Sequence, residues 1–235
     1  MTNDVQLSIV IPAYQEAENL RLLLPRLVNT LTGLNITHEI LVVDTNPPKD
    51  ETPLVCQAWP VRHILRQGGE CYGDAVRTGI AMASGEKILF MDADGSHSPE
   101  FIPSMWQYAR EYDVVIASRY AHGGDTENPW CLIVMSRMLN IVYAVVLGLK
   151  CRDVSNSFKL YGGDILRSLQ LRCRHFDIVE ELLVMASAKS PKLSILEIPY
   201  IFKKRLLGET KRNLVVFMIS FLATLAKLFW RRITA

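Results

Sequence analysis

Neither of the common glycine-built phosphate cradles is present. No GxGxxG run follows the first apolar segment and no GxxxxGK[ST] run occurs anywhere, which argues against dinucleotide-binding and P-loop chemistry. The five cysteines (Cys56, Cys71, Cys131, Cys151, Cys173) are odd in number and never spaced Cys-x-x-Cys. That excludes a disulfide framework and a zinc–cysteine site and points to reduced, cytosolic thiols. A formal charge of +2 is too small to mark a nucleic-acid binder. No secretory signal is expected, because the first apolar run, Leu7 to Ile11, is short and meets Pro12. With 49% apolar and 21% charged residues over 235 positions, disorder is excluded for most of the chain and one well-buried domain is expected.

What is present alternates. Leu7–Ile11, Glu39–Val43, Lys87–Met91 and Val114–Ala117 are short apolar, β-rich runs that read as buried strands. Between them, Leu20, Leu23, Leu24, Leu27, Val28 and Leu31 form a helical stripe, and 75–83 reads as a second helix ended by Gly85. This order predicts an α/β fold with a mostly parallel sheet flanked by helices on both faces. Ligands of such sheets bind beyond the carboxyl ends of the strands. The residues expected there are Tyr14, Glu16, Asp44, Asp92, Asp94 and Arg119.

The second half is more apolar. Residues 132–149 are interrupted by Arg137 and Asn140, and an arginine at mid-span costs ~2.5–3.5 kcal/mol at a bilayer centre. An ordinary buried helix is the expectation there. Residues 214–230 place Phe217, Phe221, Leu225 and Leu228 at helical spacing with basic flanks. That pattern suits an amphipathic helix in a membrane interface, or one packed on the domain. From Lys203 onward eight basic residues face the single acid Glu209, a balance suited to a phosphate-bearing substrate or an anionic membrane. The division expected is a domain over 1–211 and a C-terminal helix over 212–235.

Asp92-Ala-Asp94 carries the chemistry. Two carboxylates two residues apart in a turn after a strand can converge on one hard cation, Mg²⁺ or Mn²⁺, whose shell is completed by water and phosphate. Ser96 adds a hydroxyl for the ion or one of its waters.

With these residues in order the sequence resembles the dolichol-phosphate mannosyltransferases and their bacterial polyprenyl-phosphate relatives in glycosyltransferase family 2. The resemblance rests on Ile11-Pro-Ala-Tyr-Gln-Glu-Ala-Glu-Asn19, Glu39-Ile-Leu-Val-Val-Asp44, Gly73-Asp-Ala-Val-Arg-Thr-Gly79, Met91-Asp-Ala-Asp-Gly-Ser-His97, Ser118-Arg-Tyr120, Ser157-Phe-Lys-Leu-Tyr161 and the stretch from Glu197 to Lys211. It implies a GT-A fold and an inverting, metal-dependent transfer of a hexose, mannose or glucose, from a GDP- or UDP-sugar to a polyprenyl phosphate. By the same resemblance Pro12, Tyr14, Glu16, Val43 and Thr45 would shape the nucleotide pocket, and Asp92, Ala93, Asp94 and Ser96 would hold metal and diphosphate. Arg119, Arg205 and Lys211 would bind phosphate, with Asp94, Arg119 and Arg205 at the reaction and Ser136 and Arg205 at the acceptor phosphate.

Three departures stand out. Thr45 replaces a carboxylate expected to grip the nucleoside, the loop Arg66–Cys71 lacks its usual lysines, and Leu132 stands where an arginine is expected near the acceptor. They leave the donor base open and keep two other readings in play. One is a hydroxyl acceptor, for which Glu180 or Glu181 is the candidate base. The other is a silent subunit that binds nucleotide sugar. Peripheral attachment to the cytoplasmic face of a membrane, without nucleic acid, is the expected setting.

Overall fold

The computed structural model describes residues 5–203 and the helix 214–233. In chain order the elements are β1 (Leu7–Pro12), α1 (Ala17–Thr32), β2 (His38–Asp44), α2 (Thr52–Gln57), β3 (Arg62–Leu65), α3 (Tyr72–Met82) and β4 (Lys87–Phe90). There follow α4 (Ile102–Trp106), β5 (Val114–Ser118), β6 (Asp125–Thr126), α5 (Trp130–Val146), β7 (Lys159–Gly162), α6 (Gly163–Arg167), α7 (Ile178–Lys189), β8 (Ile195–Pro199), β9 (Ile201–Phe202) and α8 (Leu214–Ile233). Seven strands form one sheet in the order β3-β2-β1-β4-β7-β5-β8, and β6 pairs with β9 beside it. Within the large sheet every pairing is parallel except those of β7, which runs antiparallel to both β4 and β5.

The strand pleat explains the two cores. Leu7, Ile9 and Ile11 point to one face of β1 and Val10 to the other, because successive side chains alternate. On the first face lie Leu20, Leu23, Leu24, Leu27 and Leu31 of α1, all fully buried, each contributing roughly 1.5–3 kcal/mol of burial. On the second, α3 lies so close to β1 that a Cβ on Gly79 would sit 2.3 Å from Val10 Cγ1. Glycine is therefore required there. The chain travels outward from β1 to β3 and then returns to β4 on the other side of β1. That reversal opens a crevice at the carboxyl ends of β1 and β4.

The expectation for 132–149 is overturned. In α5 only Leu139, Asn140 and Tyr143 are buried, while Trp130, Val134, Met138, Ile141, Val142, Val145 and Val146 are exposed. An apolar helix that is not covered has the same sequence signature as a core helix, so hydropathy alone could not separate them. No helix of the described residues is long and apolar enough to cross a membrane.

α8 docks on the same layer. Phe221 and Leu228 are buried, and the Tyr143 ring lies 4.3 Å from that of Phe221. Arg231 forms an ion pair with Glu181, whose carboxylate also accepts the backbone N–H groups of Arg172 and Cys173 at 2.9 and 2.8 Å. Lys227 lies 3.8 Å from Asp177. The far side of α8 shows Leu222, Phe229 and Trp230 to solvent. Leu228→Ala, at a site with no exposure, is expected to lower the unfolding free energy by about 2–5 kcal/mol. Leu222→Ala, at 59% exposure, is expected to change it by no more than about 0.5 kcal/mol, with urea denaturation reading both.

Candidate active site

At the ends of β1 and β2 the backbone is clasped by a buried arginine. The Arg66 guanidinium donates to the carbonyls of Ala13, Asp44, Glu70 and Cys71, which ties both strand ends to the loop before α3. Burial lowers its pKa. With four backbone acceptors it is a structural clasp, and the loop's missing lysines are not replaced by it. Pro12 and Val43 are buried in this wall. Thr45 is fully enclosed, its N–H donating to Asp44 Oδ1 at 2.7 Å, while Asp44 Oδ2 lies 3.1 Å from His63 Nε2. Tyr14, by contrast, is 50% exposed, with the Lys49 ammonium 5.1 Å from its ring centre. An aromatic face held open at the mouth of a crevice is available for stacking. Glu16 accepts from Asn19 Nδ2 at 2.5 Å at the start of α1.

The acidic turn follows β4. Gly95 adopts φ +80°, which side-chain-bearing residues resist, and so lets the chain fold back. Asp94 Oδ1 accepts from the Ser96 N–H at 3.0 Å and from its hydroxyl at 2.6 Å. Asp92 accepts from Tyr72 Oη at 3.2 Å and Ser157 Oγ at 2.8 Å. Burial, with Asp92 beside it, pushes the Tyr72 phenol well up, so it stays a donor. The backbone N–H of Asp92 reaches His97 Nδ1 at 3.0 Å. An N–H can only donate, so the proton of the neutral ring sits on Nε2, 3.2 Å from Asn156 Oδ1. Burial lowers the His97 pKa, against the opposing pull of Asp92 and Asp94. Tyr200 closes the turn, accepting from the Ser98 N–H and donating to the Ser96 carbonyl at 2.8 and 2.9 Å. Ala93 is buried between the two carboxylates.

Asp92, Asp94 and Ser96 fit a hard divalent cation. All three offer oxygen, their positions are fixed, and both aspartates are partly open to solvent. Among the described residues no group of three or more His, Cys, Asp or Glu side chains forms a closed protein cage. A cation here would draw the rest of its shell from water and substrate.

Arg119 stands just past the end of β5 and is tightly paired. Its Nε donates to Asp153 Oδ2 at 2.8 Å, and its Nη2 donates to Asp153 Oδ1 at 2.6 Å and Ser155 Oγ at 2.9 Å. Tyr120 and Phe202 flank the guanidinium at 5.1 and 5.5 Å. Burial opposes the arginine's charge, but the Asp153 carboxylate outweighs it and raises the pKa. Burial likewise acts to raise Asp153, and Arg119 overrides it downward. Nη1 is the guanidinium nitrogen with no hydrogen bond among the described residues.

Ser155 Oγ also accepts from Asn140 Nδ2 at 3.0 Å, and the same amide nitrogen donates to the Ser136 carbonyl at 2.8 Å. Ser136 and Arg119 are thus joined through one amide and one hydroxyl. Leu132, near the start of α5, is exposed. Arg205 and Lys211 lie outside the described residues. Glu181, weighed as a base, is fully buried and committed to backbone and Arg231, so it serves structure. Tyr72, Ser157, Asn156 and Asp153 were not singled out from sequence, and His97 was read only as part of the acidic motif. Ser157 stood in a recognised motif, but nothing in it revealed a contact 65 residues away.

Removing one partner of the buried pair leaves an uncompensated charge. Asp153→Ala is expected to cost about 3–5 kcal/mol in chemical denaturation. Asp164→Ala, which breaks the exposed Arg167 pair, is expected to cost no more than about 1 kcal/mol.

The profile for "Glycosyl transferase family 2" matches residues 8–169. A dolichol-phosphate mannosyltransferase of Pyrococcus furiosus is 33% identical over 215 residues, covering 88% of this chain and 59% of that protein. An undecaprenyl-phosphate mannosyltransferase of Micrococcus luteus is 30% identical over 219 residues, covering 87% of this chain and 86% of its own length. The chain thus spans less than two thirds of the archaeal relative and most of the bacterial one. Among solved structures, glucosyl-3-phosphoglycerate synthase of Mycobacterium tuberculosis, in complex with Mn²⁺, UDP and phosphoglyceric acid, superposes with a TM-score of 0.72 at 16% identity, over 96% of this chain and 78% of that one. That likeness carries the GT-A fold. With the profile match covering most of its length and the sequence relatives agreeing with it, the chain belongs to glycosyltransferase family 2.

Proposed function

We propose that this chain transfers a hexose from a nucleoside-diphosphate sugar to a polyprenyl phosphate at a membrane surface, inverting the anomeric centre. The observation that carries the reading is the fixed Asp92–Asp94–Ser96 turn at the carboxyl end of β4, with Arg119 facing the same crevice from the end of β5. The polyprenyl-phosphate relatives support the acceptor class.

The donor base stacks on Tyr14 against the wall formed by Pro12 and Val43, with Glu16 and Thr45 at its border. Asp92, Asp94 and Ser96 would hold Mg²⁺ or Mn²⁺, and Ala93 would border the diphosphate. When bound, the cation neutralises the charge that grows on the leaving diphosphate. An acceptor phosphate is ionised at neutral pH and attacks from the opposite face without a general base, so alignment is the protein's main contribution. Arg119 Nη1, together with Ser136, Arg205 and Lys211, orients the phosphates of donor and acceptor. Glu181, the base a hydroxyl acceptor would want, is buried away in a structural pair, which weighs against that alternative.

Attachment is peripheral. Trp130 and Val145 of α5 and Trp230 of α8 are 76%, 75% and 67% exposed, and the two helices meet at Tyr143 and Phe221. Patches of that kind on a soluble domain mark a partner surface or a membrane. Ser136 and Asn140 of α5 join the Arg119 network, which would bring a lipid-borne phosphate to the crevice while its chain remains in the bilayer. The free cysteines suit the cytoplasmic face.

Calorimetry with GDP-mannose, UDP-glucose and UDP-N-acetylglucosamine, each with Mn²⁺ and with EDTA, tests the reading. One donor is expected to bind in the micromolar range only with metal, and Asp94→Asn is expected to abolish that binding. Equal binding in EDTA, or undiminished binding by an Asp92→Asn/Asp94→Asn double variant, would sink the metal-held donor. No binding of any donor would turn the reading toward a silent subunit.

A further inference from the structure

Far from the crevice, where α5, α7 and α8 end, the structure has a cavity of about 440 Å³. Its lining includes Lys150, Lys192 and Arg232 together with Ser187, Ser190 and Gly148, and no acidic residue. The Arg232 guanidinium lies over Gly148, where a Cβ would come within 3.3 Å of Nη2. Its Nη1 is buried from solvent and has no hydrogen-bond partner among the described residues. None of the three cations is in an ion pair among the described residues. A buried guanidinium N–H left unmatched is costly unless something accepts from it. The partial negative charges at the C-terminal ends of α5, α7 and α8, about half a unit each, offset only part of this positive charge. The remaining excess of positive charge, two hydroxyls and an orphaned donor around one concavity match a phosphate group.

The surroundings decide what carries that phosphate. Val145 and Val146 precede Gly148 in the chain, and Phe229, Trp230 and Ile233 bracket Arg232; all are exposed. A soluble phosphate gains nothing from exposed apolar side chains on the helices that end at the cavity, whereas a phospholipid presents acyl chains to them and its phosphate to the cations. We propose that this cavity holds the phosphate of an anionic phospholipid and so fixes how the α5–α8 face sits on the membrane. The proposal rests on the membrane-facing reading of α5 and α8 above for the source of the phosphate, and adds a specific headgroup site at the end remote from catalysis.

Co-sedimentation with phosphatidylcholine vesicles, with and without phosphatidylglycerol, tests it on the full chain. Phosphatidylglycerol is expected to tighten binding. The Lys150→Ala/Lys192→Ala variant is expected to lose about thirtyfold of that affinity, on the order of what two lysines contribute near an anionic surface. Ser187→Leu, which fills the cavity without changing charge, is expected to lose most of the same preference. Arg21→Ala/Arg110→Ala, on the α1 side of the sheet, is expected to keep it. Circular dichroism of each variant checks that it is folded. If Ser187→Leu keeps the preference, a diffuse basic surface explains the binding and the site is overturned. Equal binding of both vesicles by the wild type overturns the site but leaves the apolar face standing, and Val145→Ser/Trp230→Ser then reports on that face alone. Binding to neither vesicle overturns both. Saturable micromolar binding of free glycerol 3-phosphate, with no preference among vesicles, would assign the cavity to a soluble phosphate instead.

Discussion

The site depends on one strand running the wrong way. β7 lies between β4 and β5 and is antiparallel to both, so the segment leading into it, residues 151–158, arrives at their carboxyl ends. That segment is held at several points. Asp153 pairs with Arg119, and Glu197 Oε1 accepts from the Asp153 N–H at 2.9 Å and from Ser118 Oγ at 2.8 Å. Asn140 Oδ1 accepts the N–H groups of Val154 and Ser155 at 2.7 and 3.0 Å. Asn156 Nδ2 donates to the Ala117 carbonyl at 2.6 Å. Once fixed, the segment offers Ser157 to Asp92, Asn156 to His97 and Asp153 to Arg119. Carboxylates from β4 and a cation from β5 thereby face the same crevice without collapsing onto each other.

Such a network is expensive. Lys159 is fully buried beside it, its ammonium donating to the Val154 carbonyl at 2.7 Å, and burial lowers its pKa. Buried pairs rarely add net stability over an apolar alternative. What this one provides is a guanidinium whose orientation is set in advance. Fixed dipoles and charges stabilise a developing charge without reorganising, and that is worth most where water is scarce. Two edges of Arg119 are committed to Asp153 and Ser155, and the remaining edge is aimed by them. Tyr72 and His97 work in the same way on Asp92, the first as a neutral donor and the second by receiving its N–H. Asp92 is thus held by a neutral phenol and a neutral imidazole, which fix its place without adding charge.

How much of this was legible follows from where the information sits. β1, α1, β2, β4 and β5 were readable because each is a local apolar run or stripe ending in a turn signal. β3 is an edge strand with exposed Arg62 and Leu65, so it shows no apolar run. β7 is four residues with a buried lysine at its head, which reads as a loop until the partners of that lysine are known. Asp92, Asp94 and Ser96 were legible because their chemistry and their spacing coincide in one short stretch. Asp153 was not, because its meaning comes from Arg119, which lies 34 residues earlier and meets it only through the sheet order. The misreading of α5 has a separate cause. Hydropathy reports that a residue avoids water but not what replaces the water.

α5 combines an exposed apolar side with a brace for the segment that holds Arg119. Asn140 and Tyr143 face inward, the first bracing the 151–158 segment and the second receiving α8 against its ring. Met138, Ile141 and Val145 face outward, offset along the same turns. A helix has only about 100° of rotation between neighbours, so inward and outward residues must interleave. The apolar–polar alternation that would flag a simple amphipathic helix is blurred because both faces are apolar. The interleaving has a mechanical consequence. Any rigid-body shift of α5 moves Asn140 with it. Asn140 holds Ser155, which in turn holds Nη2 of Arg119, so Arg119 is coupled to the exposed apolar helix through two hydrogen bonds.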